Sequence, residues 1–275
     1  MPGPTTPEQL LTESLLSPDD QVRVRRHASH LATLAATLAG NKPKPAVVSV
    51  TALIQPMFAL AAANSRDAAS AALENRAAFV ALAFLASGQG LAPLLGQAPG
   101  PAHAAAPGRP PIQTASQTAS QPPGPAATAL AGKPSRAMRA PEMRLRGRPD
   151  WPLHLLISAA LAAEGGGPLS DAIGLYKEVA DSRHGSGFSF GDLAADRAGT
   201  RLGLAARRDP LGLQARLARG VQEADLLPEV SDLPEDMQEP EFKRRFGGVG
   251  APGHRAMLRE IETRLDQLPL LAAVR

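Results

Sequence analysis

The sequence predicts an all-α fold: a helical bundle of about seven to nine helices, interrupted by a long disordered Pro/Ala/Gly-rich linker. Three observations carry this. Aromatics make only 3% of the chain, and its 44% of apolar residues are mostly Ala and Leu, a composition that suits closely packed helices better than strands. Apolar residues recur at helical spacing in both halves. The 25 Gly and 27 Pro exceed an ordinary globular share, and many crowd between residues 97 and 140, around a tandem Q-T-A-S-Q-T-A-S-Q from Gln113 to Gln121. That stretch has too few large apolar residues to offset chain entropy. The expected organisation is an N-terminal helical layer (1–96), the linker (97–140) and a C-terminal helical domain (141–275).

Pro7 to Leu16 forms a short, weakly amphipathic opening. Ser17-Pro18-Asp19-Asp20 reads as a helix start, with a Ser cap, Pro in the first turn and acids beside it. This helix should stop at Gly40 and bury Leu31, Leu34 and Leu38. His27 and His30 share a face, and exposed or capping roles outweigh metal ligation because no third ligand is near. After Lys42-Pro43-Lys44-Pro45 a second helix is expected from Ala46, kinked at Pro56. Asn64 would cap the next, with Asp67 at its third position. Ala77 to Leu85 is apolar all round and hence buried, and Ser87-Gly88 closes it.

Beyond the linker, helices are expected over Pro152–Ala163, Leu169–Asp181, Ser189 to about Ala206, from Pro210, over Pro240–Phe246 and from Pro252 to Leu268. Phe242 and Phe246 would meet at i, i+4. Gly247-Gly248-Val249-Gly250 is a turn, lacking the strand before it and the Lys-Ser/Thr after it of a phosphate loop. Met257, Ile261, Leu265 and Leu268 form the last helix's seam.

Several function classes drop out. With no Cys, disulfides, thiol catalysis and Cys-ligated zinc are excluded. The net charge of +3 divides into 11 Lys+Arg against 6 Asp+Glu before residue 141, and 18 against 20 after it. Neither half carries the basic, aromatic-interleaved stripe of a nucleic-acid binder. Glu8, Glu13, Asp19 and Asp20 precede any apolar run, so no secretory signal is read and a cytoplasmic location is expected. Ala46 to Ala63, about 18 residues, is the best membrane-spanning candidate. Its Ala content and Gln55-Pro56 favour core helices, so no transmembrane span is expected.

The chemistry concentrates between Asp150 and Gly203, which also holds the chain's one Trp and one Tyr. His154 and Ser158 share a face of the first helix there. Asp171, Gly174, Glu178 and Asp181 form one stripe of the second, and Asp192, Asp196, Gly199 and Gly203 one stripe of the third. Like charges at i, i+4, Asp192 with Asp196 and Arg197 with Arg201, oppose helix formation, so another element or an ion should compensate them. Gly199 and Gly203 each cost about 1 kcal/mol against Ala, which close approach of a partner backbone, at Gly174 for example, would offset. Ser189-Phe190-Gly191-Asp192 also matches a capping box with Asp in the Glu position, which would make Asp192 a cap residue.

Two readings follow. In the first, His154, Glu178, Asp181, Asp192 and Asp196 hold a hard divalent cation such as Mg²⁺, Mn²⁺ or Ca²⁺, or Glu178 and Asp196 act as general acid and base in hydrolysis. In the second, the network is structural and fixes helix register, and the protein is a scaffold whose basic linker and N-terminal helices bind a protein partner.

The motifs D-x-x-x-H at Asp150/His154, K-E-x-x-D at Lys177/Glu178/Asp181 and G-S-G-F-S-x-x-D-L-x-x-D-x-x-G at Gly185 to Gly199 resemble a bacterial family of unannotated helical proteins. That family includes putative periplasmic lipoproteins of the YfiM type. More remotely, their order is similar to VanZ-like membrane proteins. Leu155 stands where an aromatic is common in that family. The resemblance implies envelope association, a periplasmic or envelope location, and a shared polar site at His154, Glu178, Asp181, Asp192 and Asp196 for a polar envelope ligand.

Overall fold

The computed structural model describes residues 17–40, 46–88, 141–165 and 187–271. Among them are nine helices: α1 (Pro18–Ala39), α2 (Thr51–Asn64), α3 (Ala68–Ala86), α4 (Trp151–Gly165), α5 (Phe190–Arg208), α6 (Pro210–Ala218), α7 (Glu223–Leu226), α8 (Glu239–Phe246) and α9 (Pro252–Asp266). Two three-residue strands, β1 (Val47–Ser49) and β2 (Glu142–Arg144), complete them. The architecture is helical, as the composition requires. The expected opening at Pro7–Leu16, the linker over 97–140 and the helix over Leu169–Asp181 lie outside the described residues.

α1 starts as its sequence dictates. Ser17 Oγ accepts the Asp20 amide, Pro18 is the first helical residue, and Gly40 ends the helix at φ 55°. Its buried stripe is rotated from the expected one. Leu31 is fully buried, but Leu38 is 36% exposed, and the core-facing positions are Val24, His27, Ala28, Leu31, Ala35 and Ala39. Three alanines share this face with Val24, His27 and Leu31.

Residues 46–50 depart from the helix expected there. Val47, Val48 and Ser49 pair in parallel with Glu142, Met143 and Arg144, so β-branched residues take a strand because a distant partner is available. α2 begins at Thr51 and runs through Pro56 to Asn64. Asn64 does not cap α3; its Nδ2 donates to Leu60 O within α2. The cap is Asp67, reciprocally bonded with Ser70. Sequence reading placed this start three residues early because Asn and Asp have similar capping strength.

One hydrophobic core runs from Val24 to Leu271 and draws on both sides of residues 97–140. α4 packs against both α5 and α3, while α2 packs on α6. Phe188 stacks on Phe242 at 4.1 Å between ring centroids, and the Phe242 and Phe246 rings lie 6.1 Å apart. Phe188 also exchanges backbone hydrogen bonds with Met237, joining the start of α5 to the loop before α8.

A second, polar seam joins the N-terminal helices to α4. Arg76 reaches Asp20 at 2.7 Å and Glu164 at 2.8 Å, tying α3 to α1 and α4. Glu74 is buried and takes Arg26 and, at 2.8 Å, His27 Nε2. Burial holds His27 below its usual pKa against the pull of Glu74. Its buried Nδ1 has no partner, so the neutral tautomer that donates from Nε2 is the economical one. For Glu74, burial works upward but the His27 and Arg26 bonds outweigh it and hold the carboxyl low. The Nδ1 geometry favours the neutral ring, with Arg26 and Arg23 supplying the positive charge.

Among the described residues, α3 alone is long and apolar enough to cross a membrane, and 67% of its most apolar window is buried within the protein. The Ala46–Ala63 stretch is divided between β1 and α2.

Candidate functional site

The site lies between α4 and α5. α5 starts where Ser189 Oγ accepts the Asp192 amide, half of the capping box that the sequence suggests. The Asp192 side chain does not return the bond. It turns to α4, where Asp192 Oδ2 stands 3.3 Å from His154 Nε2. One turn on, Asp196 Oδ1 stands 3.2 Å from His154 Nδ1 and accepts from Ser158 Oγ at 2.8 Å. His154, Ser158, Asp192 and Asp196 are each less than 9% exposed.

The glycines allow the helices to come this close. A Cβ on Gly199 would overlap the Leu155 carbonyl oxygen and stand 2.9 Å from its carbon; one on Gly203 would overlap the Ala159 oxygen and stand 2.8 Å from Ala163 N. The anticipated close approach is therefore present, but its partner is the α4 backbone. Gly174 lies outside the described residues.

Both like-charged pairs of α5 are compensated. Arg197 meets Glu262 at 3.2 Å, and Arg201 meets Glu262 and, at 2.9 Å, Asp266, so α9 neutralises them. The Asp192/Asp196 pair is compensated by His154. Burial alone would lower the His154 pKa, but Asp196 and Asp192 outweigh it and push it up to about 10. At neutral pH His154 is an imidazolium with a carboxylate oxygen at each nitrogen.

That assignment decides what the site can do. A metal ligand or general base needs an imidazole lone pair, and removing the His154 proton at pH 7 costs about 4 kcal/mol at 1.36 kcal/mol per pKa unit. In this arrangement His154 is the site's cation. Ser158 donates to Asp196 and so joins the same carboxylate as His154. Among the described residues no group of three or more His, Asp or Glu side chains is arranged to hold a metal ion. Of the predicted residues the structure brings together His154, Asp192 and Asp196; Glu178 and Asp181 lie outside the described residues. Asp192 Oδ1 and Asp196 Oδ2 are buried without a hydrogen-bond partner.

A second polar cluster adjoins the site and was missed in the sequence. Arg148 Nε and Nη2 bond Asp150 at 3.0 and 2.7 Å, and Nη1 bonds Glu235 at 2.6 Å. The guanidinium lies 5.2 Å from the Trp151 ring centroid. Burial works to raise Asp150, but its bonds to Arg148 hold it low. Asp150 was visible in D-x-x-x-H; Glu235 sits in a run of acids that reads as a solvated loop, and only its distant partner Arg148 marks it.

No family model, curated protein or solved structure matches this chain.

Proposed function

We propose that the protein is a non-catalytic helical scaffold whose central charged network holds α4 and α5 in one register. The observation that carries this reading is the double engagement of His154, with carboxylates 3.2 and 3.3 Å from its two nitrogens inside a glycine-mediated helix contact. A one-turn slip would leave a buried imidazolium and two buried carboxylates unmatched, which selects against alternative packings. Helices before and after residues 97–140 share the resulting core, and the N-terminal helices are the elements we assign to a protein partner. The motif resemblance at His154 and Gly185 to Gly199 supports an envelope setting for the scaffold.

The unpartnered Asp192 Oδ1 and Asp196 Oδ2 favour a second reading, a site for a divalent cation or a polar envelope ligand completed by Glu178 and Asp181. Melting of chelated protein, with and without added Mg²⁺, Ca²⁺ or Mn²⁺, separates the two. The scaffold reading expects no shift. A cation at about 100 times its Kd would add about 2.7 kcal/mol and raise Tm by about 5–10 °C, and such a rise would replace the scaffold reading with the cation site.

A further inference from the structure

Arg146, Arg148, Trp151, Glu229, Ser231 and Glu235 line a cleft of about 250 Å³. This is smaller than the roughly 300 Å³ at which pockets for drug-sized ligands begin. Its cations are already matched. Arg148 is held by Asp150 and Glu235, while Arg146 donates to Leu227 O at 2.7 Å and to Glu229 at 3.2 Å. The cleft therefore offers no free positive charge to an anion.

What remains unmatched is a donor and an acceptor. Trp151 is 2% exposed, and its Nε1 has no partner, nor does the buried Glu235 Oε1. Both converge on Gly191: a Cβ there would collide with Glu235 Oε1 and stand 3.2 Å from Trp151 Cζ2, on the ring edge next to the indole nitrogen. Glycine at this position leaves room for the carboxyl beside that edge. An indole N–H only donates, whereas a carboxyl accepts when ionised and also donates when protonated. Burial, opposed by Arg148 and aided by Asp192 and Asp236, holds Glu235 above its usual pKa. A hydroxyl satisfies every case, because it can accept from Trp151 and either donate to or accept from Glu235. An ammonium could not accept from Trp151, and a carboxylate could not donate to Glu235.

We propose that this cleft binds a neutral polyhydroxylated ligand the size of one sugar ring, with a ring hydroxyl bridging Trp151 Nε1 and Glu235 Oε1. The site is separate from the His154 network and does not depend on the scaffold reading.

Trp151 is the chain's single Trp, so emission from the full-length protein reports on this cleft directly. The probes are glucose, N-acetylglucosamine and the β-linked N-acetylglucosamine trimer, with acetate and methylammonium as charged controls and free N-acetyltryptophanamide as the quenching control. A saturable change with a sugar, absent from the controls, is expected. Tighter binding of the trimer would assign the site to a glycan end, and equal binding to a free sugar. Glu235→Ala, which removes the acceptor, should weaken the response roughly tenfold, as loss of one ligand hydrogen bond does. Trp151→Phe, read by saturation-transfer NMR on protein shown to be folded by circular dichroism, should weaken binding similarly. Linear quenching matching the free fluorophore, saturation by the charged controls alone, or undiminished sugar binding by both variants would overturn the proposal.

Discussion

Asp196→Asn is expected to destabilise the protein by about 3 kcal/mol in urea unfolding at pH 7. Removing one member of a buried ion pair costs about 3–5 kcal/mol, and the lower end applies because Asn still offers Ser158 an acceptor. The deficit should depend on pH. The raised His154 pKa contributes stability that is fully present below its unfolded value near 6.5 and is lost as pH rises through about 10. Without the Asp196 charge most of that contribution disappears, so wild type and variant should converge above pH 10. A triple His154→Leu, Asp192→Leu, Asp196→Leu variant should recover part of the loss, since apolar side chains can replace a buried charged triad, whereas leaving Asp192 behind would strand a buried carboxylate. A single-variant deficit below about 0.5 kcal/mol, the ordinary size of a surface substitution, would remove the network from the stability of the fold.

Alanine at Gly199 or Gly203 should have the next largest effect. Helix propensity alone favours each change by about 1 kcal/mol. Against this stands overlap with a backbone carbonyl of α4 at either site. A helix backbone cannot rotate aside as a flexible side chain would, so the cost belongs at or beyond the top of the roughly 1–3 kcal/mol overpacking range. The net expectation is a loss of about 2 kcal/mol each, or about 4–8 °C in Tm. A gain in Tm at either position would mean that α4 and α5 do not pack this closely.

Legibility in the sequence followed the range of the interaction. The ends of α1 could be read because Ser17, Pro18, Asp19 and Gly40 act within one turn of them, whereas its buried face could not. The His154/Asp192/Asp196 grouping was legible because helical spacing puts each polar residue on one face, and the glycines announced a close contact. The identity of the contacting helix was not legible, because small residues line several helices. β1 was read as helix because its partner lies nearly a hundred residues away. The burial of Glu74 and the pairing of Arg76 have no local signal, because they depend on His27, Asp20 and Glu164 in other helices. For a similar reason, clustered His and Asp suggest a metal centre in the sequence, and the carboxylate oxygen beside each His154 nitrogen is visible only in the fold.

The central claim concerns the charge on one imidazole. Carbon and nitrogen NMR shifts of the His154 ring, followed across pH 6 to 11 in the folded protein, test it most directly. The structure predicts imidazolium shifts through neutral pH, with deprotonation near pH 10. Titration of His154 at or below its ordinary value near 6.5 would show a neutral ring at pH 7 and contradict the charged clamp between α4 and α5.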